Sequence, residues 1–301
     1  MELRVLRYFL AVAREGNITR AADFLHITQP TLSRQIAQLE EELDVMLFQR
    51  DTRSMELTSE GVLLRRRAEE ILSMVDKTAQ ELAFADDAVR GMVSITCGEI
   101  AAVWVLADII KGFANKYPNV TYGIYTCNAD YSKERIDSGL SDIGILLEPV
   151  DIDKYDFVRL PVRENWCVLM RADDELAERA VITPQDLAGK SLLLPWREKV
   201  QGELASWMGD YFDKDKMRIV SNMSTNGSIM AHAGMGYVLC IEGGRPFLDG
   251  SEICSRRLSP PLTATSVLAW KRSQPMTTAV TKFLAYAREY VRSVDKDKYN
   301  K

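Results

Sequence analysis

Apolar residues near the start of the chain recur at the three-to-four spacing of helices that bury one face. The spacing predicts a first helix that ends at Gly16 and a short second helix capped by Asn17. A third helix is predicted over Gln29–Leu43, with Thr28 as its N-cap and Pro30 in the first turn, where backbone N–H groups have no partner within the helix. The buried faces are expected to contain Leu3, Leu6, Phe9, Leu10 and Ala13, then Ala21, Ala22 and Leu25, then Leu32, Ile36, Leu39 and Leu43.

Two short helices joined by a tight turn, the second with a polar start, predict a helix-turn-helix that can enter the DNA major groove. Two short apolar stretches then flank a polar tip, which is typical of a hairpin wing along a phosphate backbone. The alternative for the helix residues is capping and solvent exposure, and for the arginines it is an ordinary loop role. The expected DNA-contacting residues are Asn17, Thr28, Gln29, Pro30, Thr31, Ser33, Arg34, Arg50 and Arg53.

A long helix is predicted next, over about residues 59–89. Its apolar positions alternate at spacings of four and three, and a seam of this length needs a second apolar helix to cover it. The pattern therefore predicts a dimer contact between two copies of this helix, formed by Leu64, Ala68, Ile71, Val75, Thr78 and Leu82.

From Gly91 onward, short apolar strands alternate with helices, which predicts a mainly parallel α/β sheet covered on both faces. Strands are expected at 93–97, 120–126, 142–147, 167–171, 191–194, 218–221, 237–241 and 266–270. Helices are expected at 100–117, 130–138, 201–212, 225–234 and 276–292.

Composition narrows the class of protein. A chain of 301 residues and 34.0 kDa is long enough for at least two folding units, and a formal charge of -5 means that any DNA contact must be local. The longest apolar run, 100–107, is too short to span a membrane, and the first residues do not resemble a secretory signal. The five cysteines are scattered, which favours reduced thiols and a cytoplasmic protein.

A set of residues spread along the chain stands at the spacing of a known protein family. The set is Phe9, Ala21, Ala22, Leu25, Gln29, Pro30, Leu32, Ser33, Ile36, Leu39, Glu40, Leu47, Phe48, Arg50, Arg53, Leu57, Thr58 and Gly61, then Phe113, Tyr117, Pro118, Gly139, Asp142, Ile143, Gly234, Met235 and Gly236. On these residues, the sequence resembles the LysR-type family of bacterial transcriptional regulators. The resemblance implies a winged helix-turn-helix and a long linker helix, followed by a two-subdomain effector domain like that of periplasmic binding proteins. It implies the divisions 1–58, 59–90 and 91–301, with subdomain I at 91–161 and 265–301 and subdomain II at 162–264.

The resemblance also implies a small-molecule effector between the subdomains and a homodimer or homotetramer on double-stranded promoter DNA. Ligands of open α/β sheets bind beyond the carboxyl ends of strands. The residues selected in this way are Gly98, Glu99, Ile100, Thr126, Cys127, Asn128, Leu147, Trp196, Arg197, Ser224, Thr225 and Asn226.

Glu99 departs from the family pattern, in which a small hydroxyl residue commonly follows the first strand. Its carboxylate would repel an anionic effector unless a cation such as Arg197 offsets it, and the alternative role is a cap on the helix that follows it. Trp196 could stack on a ligand or fill a loop.

Two other classes of protein share a cleft of this kind: a solute-binding receptor and an enzyme. The receptor would need a secretory signal. The two histidines, His26 and His232, lie in different predicted domains, so neither a two-histidine metal site nor a nucleophile–histidine pair is expected. No cysteine falls within 191–222, which argues against a disulfide switch, and no cofactor is predicted.

Overall fold

The computed structural model describes residues 1–50, 55–83, 89–151, 153–244, 251–295 and 297–299. The chain divides into two compact units, Met1–Ala85 and Asp86–Lys301, each with its own hydrophobic core. The described elements of the first unit are, in chain order, α1 (Leu3–Glu15), α2 (Ile18–Phe24), α3 (Gln29–Leu43), β1 (Phe48–Arg50), β2 (Met55–Leu57) and α4 (Ser59–Ala83).

The first three helices follow the apolar pattern of the sequence. Gly16 ends α1 with φ +57°, in the left-handed region that favours glycine, and the Gly16 N–H donates to the Val12 carbonyl. His26 also has a positive φ of 54°, in the turn that joins α2 to α3. Phe9 and Phe48 pack with ring centroids 5.3 Å apart at the centre of this core.

The wing strands β1 and β2 pair antiparallel and are attached to the helical core by polar contacts. The buried Glu40 carboxylate accepts hydrogen bonds from the backbone N–H groups of Leu47 (2.8 Å) and Phe48 (3.2 Å). An added Cβ at Gly61 would lie 2.1 Å from the Leu47 carbonyl oxygen, so the start of α4 approaches the wing too closely for a side chain.

The structure places two of the six residues predicted for the seam of the long helix against the core of their own chain. Ala68 and Leu72 are buried in the core of the first unit, and Leu64 packs against that core. These side chains therefore contact their own chain, whereas Ile71 is exposed. The predicted extension of the helix to residue 89 includes 84–88, which lie outside the described residues.

The first sheet of the second unit is built from β3 (Gly91–Cys97), β4 (Val120–Thr126), β5 (Ile143–Leu147), β6 (Tyr155–Arg171) and β12 (Thr263–Lys271). Its strand order is β4-β3-β5-β12-β6. β3 is parallel to β4 and β5, whereas β12 is antiparallel to β5 and β6. Helices α5 (Ala102–Lys116) and α9 (Thr278–Ser293) pack on one face of this sheet and form one core with it. Helix α6 (Ala129–Asp137) packs against the strand side chains that point to the other face, so both faces of the sheet are covered.

The second sheet continues from β6 through β10 (Tyr237–Ile241), β8 (Leu192–Pro195) and β9 (Met217–Ser221), in the order β6-β10-β8-β9. Strand β11 (Ile253–Leu258) also pairs with β6, and β7 (Val181–Ile182) pairs with β11. The helices α7 (Glu198–Met208) and α8 (Ser224–His232) pack against this sheet. The 3-10 turns lie at Glu175–Glu178, Pro184–Leu187, Gly209–Tyr211, Lys214–Lys216 and Glu242–Gly244.

The largest difference from the sequence prediction is β6, a single strand of 17 residues. Only its last part, 167–171, was expected to be a strand. Its first part pairs with β12 in the first sheet, and its last part pairs with β10 and β11 in the second. Strands β7 and β11 are also additions, and the helix predicted over 201–212 begins earlier, at Glu198.

Candidate DNA-binding and effector-binding sites

The N-terminal turns of α3 present polar side chains to solvent. Gln29, Thr31 and Arg34 are exposed, as is Pro30, whereas Ser33 is half-buried. The opposite face of the helix is anchored in the core, where Leu32, Ile36 and Leu39 are at most 1% exposed. The apolar stripe therefore fixes which face of α3 is left for a partner.

The cap residues before these helices have different roles. The Asn17 side-chain oxygen accepts hydrogen bonds from the N–H groups of Thr19 (2.9 Å) and Arg20 (3.1 Å), so Asn17 caps α2 as predicted. Thr28 occupies the N-cap position of α3 without a side-chain cap bond, because its hydroxyl pairs with that of Thr31 at 2.8 Å. The Arg50 side chain and the whole of Arg53 lie outside the described residues.

A cavity of about 120 Å³ lies within the second unit, between the strand ends of the two sheets. Its walls are mostly apolar, with Ile145 and Leu147 from the first sheet and Leu193 and Leu239 from the second. We call this space the cleft cavity. The charged side chains that line it, among the described residues, are Glu99 and Arg197.

Glu99 extends across the cleft cavity from the loop after β3 to the N-terminus of α8. Its carboxylate accepts hydrogen bonds from the Ser224 N–H (2.7 Å), the Ser224 hydroxyl (2.6 Å) and the Thr225 N–H (3.0 Å), and also from the Thr225 hydroxyl. These donors are among the free amides and side chains of the first turn of a helix, where a negative charge is favourable. Glu99 therefore caps α8, not the helix that follows it in sequence.

Arg197 makes a second contact across the cleft cavity, in the opposite direction. Its guanidinium is 9% exposed and donates to Asp130 Oδ2 (3.1 Å) and to the Pro149 carbonyl (3.3 Å), both in the half of the unit that contains the first sheet. Arg197 therefore does not offset the charge of Glu99 as predicted. Arg197 contacts Asp130, and Glu99 contacts the start of α8. Each charged side chain is paired with groups on the other side of the cavity.

The helix after β3 is capped by a residue that the sequence analysis did not select. Glu164, on β6, is fully buried and accepts hydrogen bonds from the N–H groups of Ala101 (2.7 Å) and Ala102 (2.9 Å) and from the Ser266 hydroxyl (2.8 Å). Burial raises the pKa of Glu164, while the three hydrogen bonds act to lower it. A lone glutamate within an unpredicted strand gave no signal of this role.

The structure brings most of the predicted effector residues together around the cleft cavity. Thr126 is exposed and Cys127 is buried against Thr96 and Ser132, so neither is part of the lining. Thr225 contacts Glu99 without lining the cavity, and Asn226 lines an adjoining cavity that shares part of its wall with the cleft cavity. The lining contains Gly98, Glu99, Ile100, Asn128, Leu147, Trp196, Arg197 and Ser224.

Trp166 is a cavity residue that sequence reasoning missed. It lies on β6, is 3% exposed, and its indole Nε1 is buried without a hydrogen-bond acceptor among the described residues. The apolar run that follows it, Cys167–Met170, could have indicated burial, but not that the N–H lacks a partner. Trp196, by contrast, is 61% exposed at the edge of the same cavity.

The cysteines are free thiols, as expected. Cys97 is buried in β3, and burial raises the pKa of its thiol to about 11, with the neighbouring Cys127 adding to the effect. A thiol with a raised pKa holds little reactive thiolate at neutral pH. Within the described ranges, no cluster of side chains has the composition of a metal site, and no helix has the length and hydropathy that crossing a bilayer requires.

Comparison with protein-family models matches both parts of the chain. Residues 3–62 match the bacterial regulatory helix-turn-helix protein, lysR family, and residues 86–292 match the LysR substrate binding domain. The second match covers more than half of the chain.

Individual relatives agree with the family models. The chain is 30% identical to the Hca operon transcriptional activator HcaR of Escherichia coli (strain K12), over 98% of this chain and 99% of that protein. It is 32% identical to the uncharacterized regulator YbhD of the same strain, over 64% of this chain and 60% of that protein.

The fold is also similar to a solved structure. The crystal structure of CbnR, a LysR family transcriptional regulator, has a TM-score of 0.75 to this chain at 21% identity and covers 97% of this chain and 99% of that one. The chain therefore belongs to the LysR family and is a transcriptional regulator with a DNA-binding helix-turn-helix domain and an effector-binding domain.

Proposed function

We propose that this regulator reads paired DNA half-sites with the N-terminal turns of α3 and that a small molecule in the cleft cavity controls this binding. The observation that supports it most directly is the exposure of Gln29, Thr31 and Arg34 on a helix whose other face is buried. At these positions, glutamine can both donate to and accept from base edges in the major groove, and arginine can donate to them. The side-chain amide of Asn17 and the wing arginines Arg50 and Arg53 would add phosphate contacts.

The divisions of function along the chain are part of the proposal. Residues 1–58 would bind DNA, 59–90 would dimerise the protein, and 91–301 would bind the effector, as a homodimer or homotetramer in the cytoplasm. The exposed apolar side chains Leu63 and Ile71, which are eight residues apart on one side of α4, are candidates for the dimer contact because Leu64 and Ala68 pack within the chain. The protein would act by binding and not by catalysis.

Control by the effector would follow from the position of the cleft cavity. Glu99 and Arg197 both connect its two walls, so a ligand that enters it acts on contacts that hold those walls together. A ligand shifts such an equilibrium by its difference in affinity for the two arrangements, and couplings of this kind are typically about 1 to 3 kcal/mol.

The test is DNA binding by the full-length protein, measured by gel shift and by fluorescence anisotropy on the DNA upstream of its own gene. Gln29→Ala is expected to weaken specific binding by about 1 to 3 kcal/mol. Arg34→Ala is expected to lower the slope of log affinity against log salt by roughly 1 if it contacts a phosphate.

Gln38→Ala is the matched control, because Gln38 is an exposed glutamine on the same helix, beyond its N-terminal turns. It should leave the affinity unchanged. Equal effects of Gln29→Ala and Gln38→Ala, or no specific binding by the wild type, would contradict the proposal.

A further inference from the structure

The walls of the cleft cavity restrict the chemistry of its ligand. The cavity volume of about 120 Å³ is close to that of an engineered apolar cavity of about 150 Å³ that holds benzene. The walls are built largely from aliphatic side chains of both sheets, including Ile145, Leu193 and Leu239. A molecule with the dimensions of one ring therefore fits the space, and its body is apolar.

The charged groups of the lining are already paired with protein. Glu99 occupies the N–H groups at the start of α8, and the Arg197 charge is balanced by Asp130. At the rim, the Ser224 hydroxyl is engaged by Glu99 and the Ser221 hydroxyl by the Met223 carbonyl. An anionic ligand would meet the Glu99 carboxylate where it needs donors, and a charge buried without a partner is strongly unfavourable.

One buried donor in the lining has no acceptor among the described residues. Trp166 is 3% exposed, and no described residue accepts a hydrogen bond from its Nε1–H. Buried polar groups are nearly always paired, so an unpaired donor in the wall of an apolar cavity points to a ligand that supplies the acceptor. A neutral oxygen or nitrogen acceptor would pair with this N–H without introducing a charge.

We infer that the effector is a small uncharged molecule, apolar except for a hydrogen-bond acceptor that pairs with Trp166 Nε1–H, and that Glu99 excludes anions by occupying the amides of α8. This inference names the effector class of the proposed function and rests on it for its biological meaning. Its test is made without DNA, so ligand binding and DNA binding can fail independently.

The experiment is isothermal titration calorimetry on the full-length protein with three ring compounds of similar size: acetophenone, ethylbenzene and benzoate. Acetophenone is neutral and carries an acceptor, ethylbenzene is neutral without one, and benzoate is an anion. The wild type is expected to bind acetophenone about tenfold more tightly than ethylbenzene, the value of one net hydrogen bond, and to bind benzoate least. Tighter binding of benzoate than of acetophenone, or no binding of acetophenone, overturns the inference.

Trp166→Phe keeps an aromatic ring and removes the donor. It is expected to lower the affinity for acetophenone to about that for ethylbenzene and to leave ethylbenzene binding unchanged. The control is Trp104→Phe, at a residue that is 52% exposed and outside the lining, which should change neither affinity. An acetophenone affinity that Trp166→Phe does not alter overturns the role of this N–H.

Glu99→Ser tests the exclusion of anions, because it frees the amides of Ser224 and Thr225. Benzoate affinity is expected to increase by about tenfold, the strength of a hydrogen bond to a charged group. Glu198→Ser removes the same charge from an exposed residue outside the lining and should leave benzoate affinity unchanged. Retained acetophenone binding shows that the Ser variant is folded, and an unchanged benzoate affinity in that variant overturns the role of Glu99.

Discussion

Two helices of the effector-binding unit have their first amides capped by a glutamate from elsewhere in the chain, in contrasting surroundings. Glu164 caps the start of α5 from within the protein and is fully buried. Glu99 caps α8 from across the cleft cavity and is half-buried. The chemistry of the two contacts is the same, namely a carboxylate that accepts backbone N–H groups and a hydroxyl.

The difference in burial gives the two caps different roles. Because Glu164 is fully buried, water cannot take its place as the hydrogen-bond acceptor for the first amides of α5. At Glu99, water can reach the cavity edge and take over the same donors. A buried cap is therefore part of the core, whereas a cap at a cavity is a contact that binding can alter.

The largest effect is expected from removing the buried cap. Glu164→Ala leaves the N–H groups of Ala101 and Ala102 and the hydroxyl of Ser266 without this acceptor, and we expect the free energy of unfolding to fall by about 2 to 4 kcal/mol. Urea denaturation followed by circular dichroism measures this. Glu164→Gln, which keeps one acceptor oxygen, should lose less, and an alanine variant as stable as wild type would contradict the assignment.

The dependence of the free energy of unfolding on pH should show the contribution of Glu164. Because burial raises the pKa of Glu164 above its ordinary value of 4.5, the native state retains a proton that the unfolded chain has released. The contribution of Glu164 is then largest below pH 4.5 and decreases as pH rises through the native pKa, with a slope of at most about 1.4 kcal/mol per pH unit.

The measurement compares wild type with Glu164→Gln by urea denaturation from pH 4.5 to 8, so that the other titrating groups cancel. The stability advantage of the wild type should shrink as pH increases. An advantage that grows with pH would mean that the native pKa is lowered, contrary to the effect of burial.

The smallest effect on stability is expected at the cleft cavity. Glu99→Ala should lower the free energy of unfolding by about 1 kcal/mol, as for an ordinary helix cap, because water can reach the freed amides. Asn17→Ala, which removes a cap in the other unit, provides a reference of similar size. A loss at Glu99 as large as that at Glu164 would remove the distinction between the two contacts.

The bounds of a helix or strand could be predicted from the sequence where all of the signals lie within that element. The helix Gln29–Leu43 has the predicted bounds because Thr28, Pro30 and its apolar stripe are all local signals. The strands β4 and β10 also have the predicted bounds, since β10 is a short apolar run and β4 is rich in β-branched and aromatic residues. Most of the predicted effector residues line the cleft cavity because each of them follows the end of a strand, which is also a local feature.

Features that depend on a distant partner could not be predicted. The first part of β6 contains Pro161 and Glu164, residue types that are uncommon in strands, and its strand structure depends on pairing with the distant β12. The partner of Glu99 lies 125 residues further along the chain, and no spacing rule links the two. Leu64 and Ala68 fit a dimer seam in the sequence, yet the core of their own chain covers them.

The strand β6 has a mechanical consequence for signalling. It belongs to both sheets of the effector-binding unit, and its backbone is hydrogen-bonded to β12 on one part and to β10 and β11 on the other. The two sets of pairs lie on different segments of β6, residues 155–165 and 166–171. A change of angle between the two halves can therefore bend the strand between these segments without breaking the hydrogen bonds of either sheet.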